Sequence, residues 1–109
     1  MTHVTIYRNQ KHALTGFLCE GHAGYADAGS DIVCAGISTL VINTINAVEA
    51  LTNTQILADA DQADGTIHVN FPYGCDEQAG LLVDAMVLGL QGIQTNYGTK
   101  FLTLDFKEV

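Results

Sequence analysis

Basic side chains are scarce in this sequence of 109 residues. Four Lys and Arg stand against twelve Asp and Glu, which gives a formal net charge of -8. Such a charge repels polyanions, so nucleic-acid binding loses the attraction to phosphates that normally drives it. We therefore expect no direct nucleic-acid partner. The charge favours basic peptides instead, because opposite charge speeds encounter.

Proline and cysteine are also rare. The one proline, Pro72, does not separate two compositions, and no repeat or linker is visible, so the sequence predicts a single domain over residues 1–109. The three cysteines are an odd number, and no export signal precedes them. A disulfide framework is therefore disfavoured, and at least one thiol is free.

Zinc binding is an alternative use of the cysteines. Cys19, His22, Cys34 and Cys75 could act as four ligands, but the second closely spaced ligand pair of most structural zinc sites is missing. We therefore expect neither a metal nor another cofactor.

The sequence shows neither a signal peptide nor a clear membrane span. The amino-terminal stretch MTHVTIYRNQKH has no apolar core, and the longest uncharged run, residues 32–48, carries Gly, Ser, Thr and Asn. We therefore expect a cytoplasmic protein with no membrane partner.

Hydrophobic periodicity and turn residues predict seven elements in the order β-β-α-β-β-α-β. The predicted elements are hairpins near residues 3–19 and 55–71, a helix capped by Ser30 that ends near Asn53, a helix from about Asp76 to Gly98, and a last strand KFLTLDF. This order predicts an α+β fold, in which a mixed sheet carries both helices packed on one face.

The first predicted helix has one continuous apolar stripe. Its members recur every three or four positions, as on a helix face that packs against a core. They are Ile37, Leu40, Val41, Ile45, Val48 and Leu51. The second helix is apolar on most sides, which indicates a further contact with the first helix or with a second subunit.

The segment CEGHAGYADAGSDIVCAGIS, residues 19–38, carries most of the functional information. His22 lies in a glycine-rich loop after the second strand, and Cys34 lies in the first turn of the first helix. Unpaired N–H groups and the dipole at a helix start stabilise a thiolate and could also stabilise an oxyanion. A nearby imidazole can accept the thiol proton and later protonate a leaving amine. The segment therefore predicts a catalytic pair of His22 and Cys34.

Three glycines suit the loop to a role in substrate binding. Gly21, Gly24 and Gly29 permit backbone conformations that other residues resist, so the loop could close over a bound peptide. A phosphate-binding loop is disfavoured, because the segment has neither the G-x-G-x-x-G nor the P-loop pattern and contains no Lys.

Two further residues are candidates for supporting roles. Asp31 suits the positive end of the helix dipole and could also orient His22. Ser38 lies one helical turn after Cys34 and could contact its thiol, although such hydroxyls often bond to their own helix.

Each cysteine also has a purely structural interpretation. On pattern alone, Cys34 could be a small buried hydrophobic residue of an apolar helix. Cys19 ends a strand, where packing is expected, and Cys75 precedes the second helix as a weaker candidate for a reactive thiol.

The segment GHAGYADAGSDIVCAGIS resembles the signature of the bacterial ribosomal-processing cysteine protease family, Prp, which has a Gly-His-x-Gly loop followed by Gly-x-Asp-Ile-Val-Cys-Ala-Gly-x-Ser. Length, acidity and element order are also similar. The resemblance implies a cytoplasmic, homodimeric endopeptidase that removes an amino-terminal extension from large-subunit ribosomal protein twenty-seven. It implies cleavage after aromatic residues, with basic residues after the cut. His22 matches the family's catalytic histidine, and Cys34 matches its nucleophile.

Two other function classes stay open. A non-catalytic acidic module would bind basic ribosomal proteins without cutting them. A thiol redox protein would pair Cys34 reversibly with Cys19 or Cys75, although the sequence has no C-x-x-C motif. For a peptidase, the aromatic residues before the cut could bind near Ile37 and Val41 or on the exposed side of the second helix.

Overall fold

The structure is a computed structural model that describes residues 1–21, 24, 26, 31–61, 63 and 65–109. Its elements follow the predicted order β-β-α-β-β-α-β. They are β1 (Thr2–Arg8), β2 (Leu14–Glu20), α1 (Ile32–Leu51), β3 (Leu57–Asp61), β4 (Thr66–Asn70), α2 (Glu77–Tyr97) and β5 (Leu102–Glu108).

The five strands form one mixed sheet, as predicted, in the order β3-β4-β2-β1-β5. β1 pairs with β2 in an antiparallel hairpin and with β5 in parallel, while β4 pairs antiparallel with both β2 and β3. The parallel pair arises because the chain returns through α2 before it reaches β5. Strand β1 therefore lies inside the sheet, and β3 and β5 are its edges.

Both helices pack on one face of the sheet and against each other, as the fold prediction required. Inward residues of β1 and β2, such as Val4, Ile6 and Phe17, are fully buried. The helices add Val41 and Leu90, also fully buried. Burial of such side chains contributes roughly 1.5–3 kcal/mol each.

The two helices approach closely at one glycine. A Cβ atom at Gly89 of α2 would lie 2.9 Å from Cδ1 of Leu40 on α1. A larger residue there would force the Leu40 side chain to shift, so the glycine, which costs a helix about 1 kcal/mol, permits this close contact.

Asp31, not Ser30, caps α1, so the predicted cap was one residue too early. A carboxylate oxygen of Asp31 accepts a hydrogen bond from the N–H of Cys34 at 2.8 Å, and the helix begins at Ile32. Ser30 lies outside the described residues. Asp76 caps α2 in the same way, and Gly98 ends that helix, as predicted.

Two apolar residues, one of them from the predicted stripe of the first helix, are exposed at the ends of their elements. Leu51, the last residue of α1, is 71% exposed because the helix stops there. Phe106, near the end of edge strand β5, is 57% exposed.

Within the described residues, α1 is long and apolar enough to span a bilayer by length and composition, with a mean hydropathy of 1.5. In this fold, five of its residues are buried in the domain; they are Val33, Ile37, Val41, Thr44 and Val48.

Candidate active site

An apolar cleft of about 490 Å³ lies between α1 and the β3 side of the sheet. It exists because two helices do not cover five strands, so every residue of β3 is exposed. The volume is within the usual range of small-molecule and peptide side-chain sites. Its walls are formed by Thr2, Cys19, Gly21, Cys34, Ile37, Ser38, Ile42, Ile45, Ala58, Ala60, Asp61, Gly65, Thr66 and Ile67.

The floor of the cleft follows from strand register. Ala60, Ile67 and Cys19 are consecutive partners across β3, β4 and β2, so their side chains point to the same face. This face is the one on which Val4, the next partner of Cys19, packs beneath the helices. The floor is therefore apolar along the whole row.

Cys34 lies on the helical wall of this cleft, in the first turn of α1. It is a free thiol and is partly buried. Its position is fixed by the helix cap, because Asp31 accepts the N–H of Cys34 with its side chain and the N–H of Ala35 with its carbonyl oxygen, at 2.8 and 3.0 Å. These two amides are therefore engaged and do not supply the free oxyanion donors expected at the helix start.

Ser38 and Ile37 line the same cleft as Cys34. The predicted neighbourhood of Ser38 and Cys34 is therefore present, one helical turn apart. Val41, the second position proposed for aromatic binding, is fully buried in the core and does not line the cleft.

Gly21 forms the end of the cleft nearest the start of β1. Its φ is +86°, and a Cβ there would lie 2.5 Å from the carbonyl oxygen of Met1. Both the backbone conformation and the space therefore require glycine. Gly24 also has a positive φ, of +74°. His22 and Gly29 lie outside the described residues, so their roles stay predictions.

Cys19 is a second thiol in the cleft, opposite Cys34. It is packed, as predicted, and is 5% exposed. Burial raises the pKa of Cys19 to about 11, with smaller contributions from Cys34 and Glu20. The sequence interpretation missed its place in the cleft. The alternation of Phe17 and Cys19 on the inward face of β2 was the available signal.

Thr2 is a further cleft residue that the sequence did not single out. It is 2% exposed, and its hydroxyl oxygen has no hydrogen-bond partner among the described residues. Its inward position follows from its place two residues before Val4 on β1. No motif marks such a residue in the sequence.

Cys75 lies at the other end of the sheet. Burial, then Asp76, raises the pKa of its thiol to about 11, opposed in part by Arg8 at the far end of β1. The cleft lies at the opposite end of β1, beside Thr2, which is about 20 Å along that strand from Arg8. Among the described residues, no three metal-ligating side chains form a group. The four-ligand zinc alternative therefore has no support from Cys75.

Charge is distributed unevenly between the two ends of the sheet. Of the four basic residues, Arg8 ends β1, Lys11 lies in the adjoining turn and Lys107 pairs with Tyr7, all at the end away from the cleft. Asp61 lines the cleft, and Glu20 precedes Gly21. The cleft end is therefore poor in basic side chains, and its carboxylates favour positively charged ligands.

Residues 1–101 match the family model described as cysteine protease Prp. The chain belongs to the cysteine protease Prp family. It is 33% identical over 101 residues to the ribosomal processing cysteine protease Prp of Bacillus subtilis, with 89% of this chain and 90% of that protein covered.

Two solved structures of the essential ribosomal processing protease Prp from S. aureus share the fold. One holds a covalently linked product peptide and superposes with a TM-score of 0.91 at 30% identity. The other holds a substrate peptide and gives a TM-score of 0.86 at 29% identity. Each comparison covers 98% of this chain and 100% of the other. Family membership makes this Prp chain a cysteine peptidase, and the redox-protein alternative is no longer needed to explain a free thiol.

Proposed function

We propose that this chain is the endopeptidase that removes the amino-terminal extension of a ribosomal protein, large-subunit protein twenty-seven. The observation that carries the proposal is the free thiol of Cys34 on the wall of an apolar cleft. The names of the Prp relatives and the peptide complexes of the S. aureus protease support the substrate class.

In the proposed mechanism, Cys34 is the nucleophile and His22 is the general base. His22 takes the proton of the thiol, and the sulfur attacks the carbonyl carbon of the scissile bond. The imidazolium then protonates the leaving amine, and an acyl-enzyme remains on Cys34. A water molecule, deprotonated by His22, releases the acid product and regenerates the thiol.

Asp31 has a positioning role in this mechanism. Its carboxylate holds the N–H of Cys34 at 2.8 Å and so fixes the residue that carries the attacking sulfur. Correct placement of a nucleophile is worth several kcal/mol of barrier, so a small displacement is costly.

The apolar cleft is the proposed site for the aromatic residue before the cut. Ile37, Ile42 and Ile45 form one wall, and the small side chains of Ala58 and Ala60 leave room on the other. An aromatic ring would displace water from apolar surface there. With this assignment, the aromatic residue binds on the α1 side of the molecule and not on the exposed face of α2.

A matched pair on β3 tests this assignment. Ala58→Phe should fill the cleft and raise KM for substrates with an aromatic residue before the cut. Leu57→Phe is the control, because Leu57 is the adjacent residue on the same exposed strand but does not line the cleft. Equal KM values for the two variants would contradict the assignment.

The basic residues after the cut would be attracted to the carboxylates at the cleft end of the sheet. Asp61 lies on the cleft wall, and three of the four basic side chains are at the other end. Association should therefore slow as salt increases, because screening weakens attraction between separated charges.

The primary experiment is cleavage of the organism's own extended protein twenty-seven, read by product mass. The wild type and Cys75→Ala should give one defined cut, and Cys34→Ala should give none. If the wild type and Cys34→Ala bind the substrate and neither cuts it, the alternative of a non-catalytic acidic module for basic ribosomal proteins replaces the peptidase.

We also propose that the protein acts in the cytoplasm as a homodimer, with neither a nucleic acid nor a membrane as direct partner. Leu81 and Leu88 are seven residues apart on α2 and are 69% and 71% exposed, so they form an apolar strip that a second copy could cover. Leu88→Glu should shift the molar mass in solution to that of a monomer. Leu57→Glu, at an exposed leucine on β3, is the matched control and should leave it unchanged.

A further inference from the structure

Two thiols line the same cleft, one from the floor and one from the helical wall. Cys19 points inward from β2, where it is paired with Val4 and Ile67, and Cys34 belongs to the first turn of α1. Both are free. The proposed peptidase chemistry uses only Cys34, so the buried thiol of Cys19 has no assigned role.

We propose that Cys19 is a resolving cysteine, which forms a disulfide with Cys34 when a hydroperoxide oxidises the cleft and so switches the peptidase off reversibly. The proposal rests on the proposed function only for the identity of Cys34 as the nucleophile. The modification site is the pair of cysteines, and the reagent class is a small hydroperoxide.

The proposed chemistry has two steps. The thiolate of Cys34 attacks one oxygen of hydrogen peroxide and breaks the O–O bond, which yields a sulfenic acid on Cys34 and a hydroxide ion that becomes water with the proton the thiol released. The sulfur of Cys19 then attacks the sulfenic sulfur, loses its proton and releases the second water, so a disulfide remains. Peroxide is reduced by two electrons, and the two thiols are oxidised by two. An external dithiol reverses the change by thiol–disulfide exchange.

The geometry distinguishes Cys19 from Cys75 as the partner. Cys75 lies at the opposite end of the sheet, about 20 Å from the cleft along β1. Cys19 is on the cleft floor, and residues 20–33, which contain three glycines, join it to Cys34 in sequence. A disulfide between them would close this short loop.

The burial of Cys19 gives the two thiols different roles. Its pKa of about 11 keeps Cys19 protonated at neutral pH, so it is a poor first target for peroxide. It becomes useful once Cys34 is a sulfenic acid, since a neighbouring thiol then competes with further oxidation. Formation of the disulfide removes the nucleophile and protects it from irreversible oxidation.

The test combines peptide mass mapping with recovery of activity. The purified full-length protein is treated with a small excess of hydrogen peroxide, and remaining thiols are blocked by N-ethylmaleimide. Digestion after acidic residues separates the two cysteines, because Glu20, Asp27 and Asp31 lie between them in the sequence. The variants are Cys19→Ala and, as the matched control, Cys75→Ala.

The expected result is a peptide pair linked through Cys19 and Cys34, lighter by two hydrogen atoms, in the wild type and in Cys75→Ala. Both proteins should regain most of their own untreated activity after dithiothreitol. Cys19→Ala should lack the pair and should recover only a small part, because its Cys34 continues to the sulfinic acid. Thermal unfolding of Cys19→Ala confirms that the variant is folded.

Two results would overturn the proposal. One is a wild type in which Cys34 carries sulfinic acid without a linked pair, and the other is linkage of Cys34 to Cys75 or to a second chain. Formation of the linked pair does not depend on the peptidase activity of the protein. If Cys34→Ala cleaves the substrate normally while the wild type still forms the pair, the proposed peptidase mechanism fails and the disulfide stands.

Discussion

The two helices of this Prp chain begin alike and differ in what surrounds their first turns. Asp31 and Asp76 each accept an N–H three residues later at 2.8 Å, and each has a cysteine nearby. Cys34 lies inside the first turn of α1 and lines the apolar cleft, whereas Cys75 precedes the cap of α2 at the far end of the sheet. A capped helix start with a thiol is therefore not enough for a site; the cleft makes the difference.

The start of α2 is built for structure. The N–H of Asp76 donates to the Thr54 hydroxyl at 2.8 Å, and the carboxylate of Asp76 accepts the N–H of Asn53 at 3.3 Å, so the cap ties α2 to the segment after α1. The backbone N–H of Ala79 first, and then Thr54 and Asn53, hold the pKa of Asp76 below its usual value of 3.8, against an opposing effect of desolvation. These contacts of Asp76 hold α2 to the rest of the fold.

Removal of the Cys34 or the Cys75 thiol should give the largest difference in activity between the two helix starts. Cys34→Ala should lower kcat/KM by about a thousandfold or more, because no other group can form the acyl-enzyme. Cys75→Ala should retain wild-type kcat/KM. The measurement is steady-state cleavage of an extended protein twenty-seven peptide, with circular dichroism as the control for folding. Comparable losses in the two variants would remove the distinction between the helix starts.

Replacement of each capping aspartate should distinguish an effect on the position of Cys34 from an effect on stability. Asp31→Ala and Asp76→Ala should both lower Tm by a few degrees, because each leaves a first-turn N–H unpaired. Only Asp31→Ala should also lower kcat/KM, by about tenfold at a temperature where both variants are folded, since Cys34 loses its anchor. Assays well below both Tm values measure this difference, and a fall of equal size in Asp76→Ala would contradict it.

Acid should destabilise the α2 cap through Asp76. Its pKa is lowered in the folded chain, so it contributes stability that is present above pH 3.8 and is lost as pH falls through the lower folded value. Asp76→Asn should therefore flatten part of the decline in the free energy of unfolding below pH 4. Urea unfolding at a series of pH values measures this slope. If the free energy of unfolding falls in parallel in the wild type and the variant, Asp76 is not the group responsible.

Replacement of two threonine hydroxyls should change the free energy of unfolding by smaller amounts and in opposite directions. Thr2, beside the cleft, buries a hydroxyl without a partner in the described residues, whereas Thr54 accepts the N–H of Asp76. Thr2→Val should raise the free energy of unfolding by about 1 kcal/mol, because it removes an unpaired buried polar group. Thr54→Val should lower it, since the N–H of Asp76 loses its acceptor. Urea titration of both variants measures the two signs, and a loss of stability in Thr2→Val would mean that its hydroxyl has a partner.

Local chemistry in the sequence was enough for most of the fold. Asp76 and Gly98 mark the ends of α2 because capping uses side chains close in sequence. The same rule failed by one residue at α1, where Asp31 follows Ser30 and both types are good caps. Leu51 continued the apolar period but lies at the end of the helix, where nothing packs over it.

The candidate site was predictable only in part. Asp31 and Ser38 were found because each lies about one helical turn from Cys34 in the sequence. Cys19 and Thr2 were missed as cleft residues because their positions depend on how β1, β2 and α1 come together in space. The pairing of His22 with Cys34 is a matter of tertiary geometry and stays a prediction.

Covalent capture of the nucleophile is the most direct test of the central claim, that the thiol beside the cleft performs the reaction. A peptide chloromethyl ketone that ends in phenylalanine would be incubated with the protein, and the labelled residue would be identified by peptide mass mapping. We expect one adduct, on Cys34, and we expect excess protein twenty-seven peptide to prevent it. An adduct on Cys75, or equal labelling of the cysteines without protection by substrate, would contradict it.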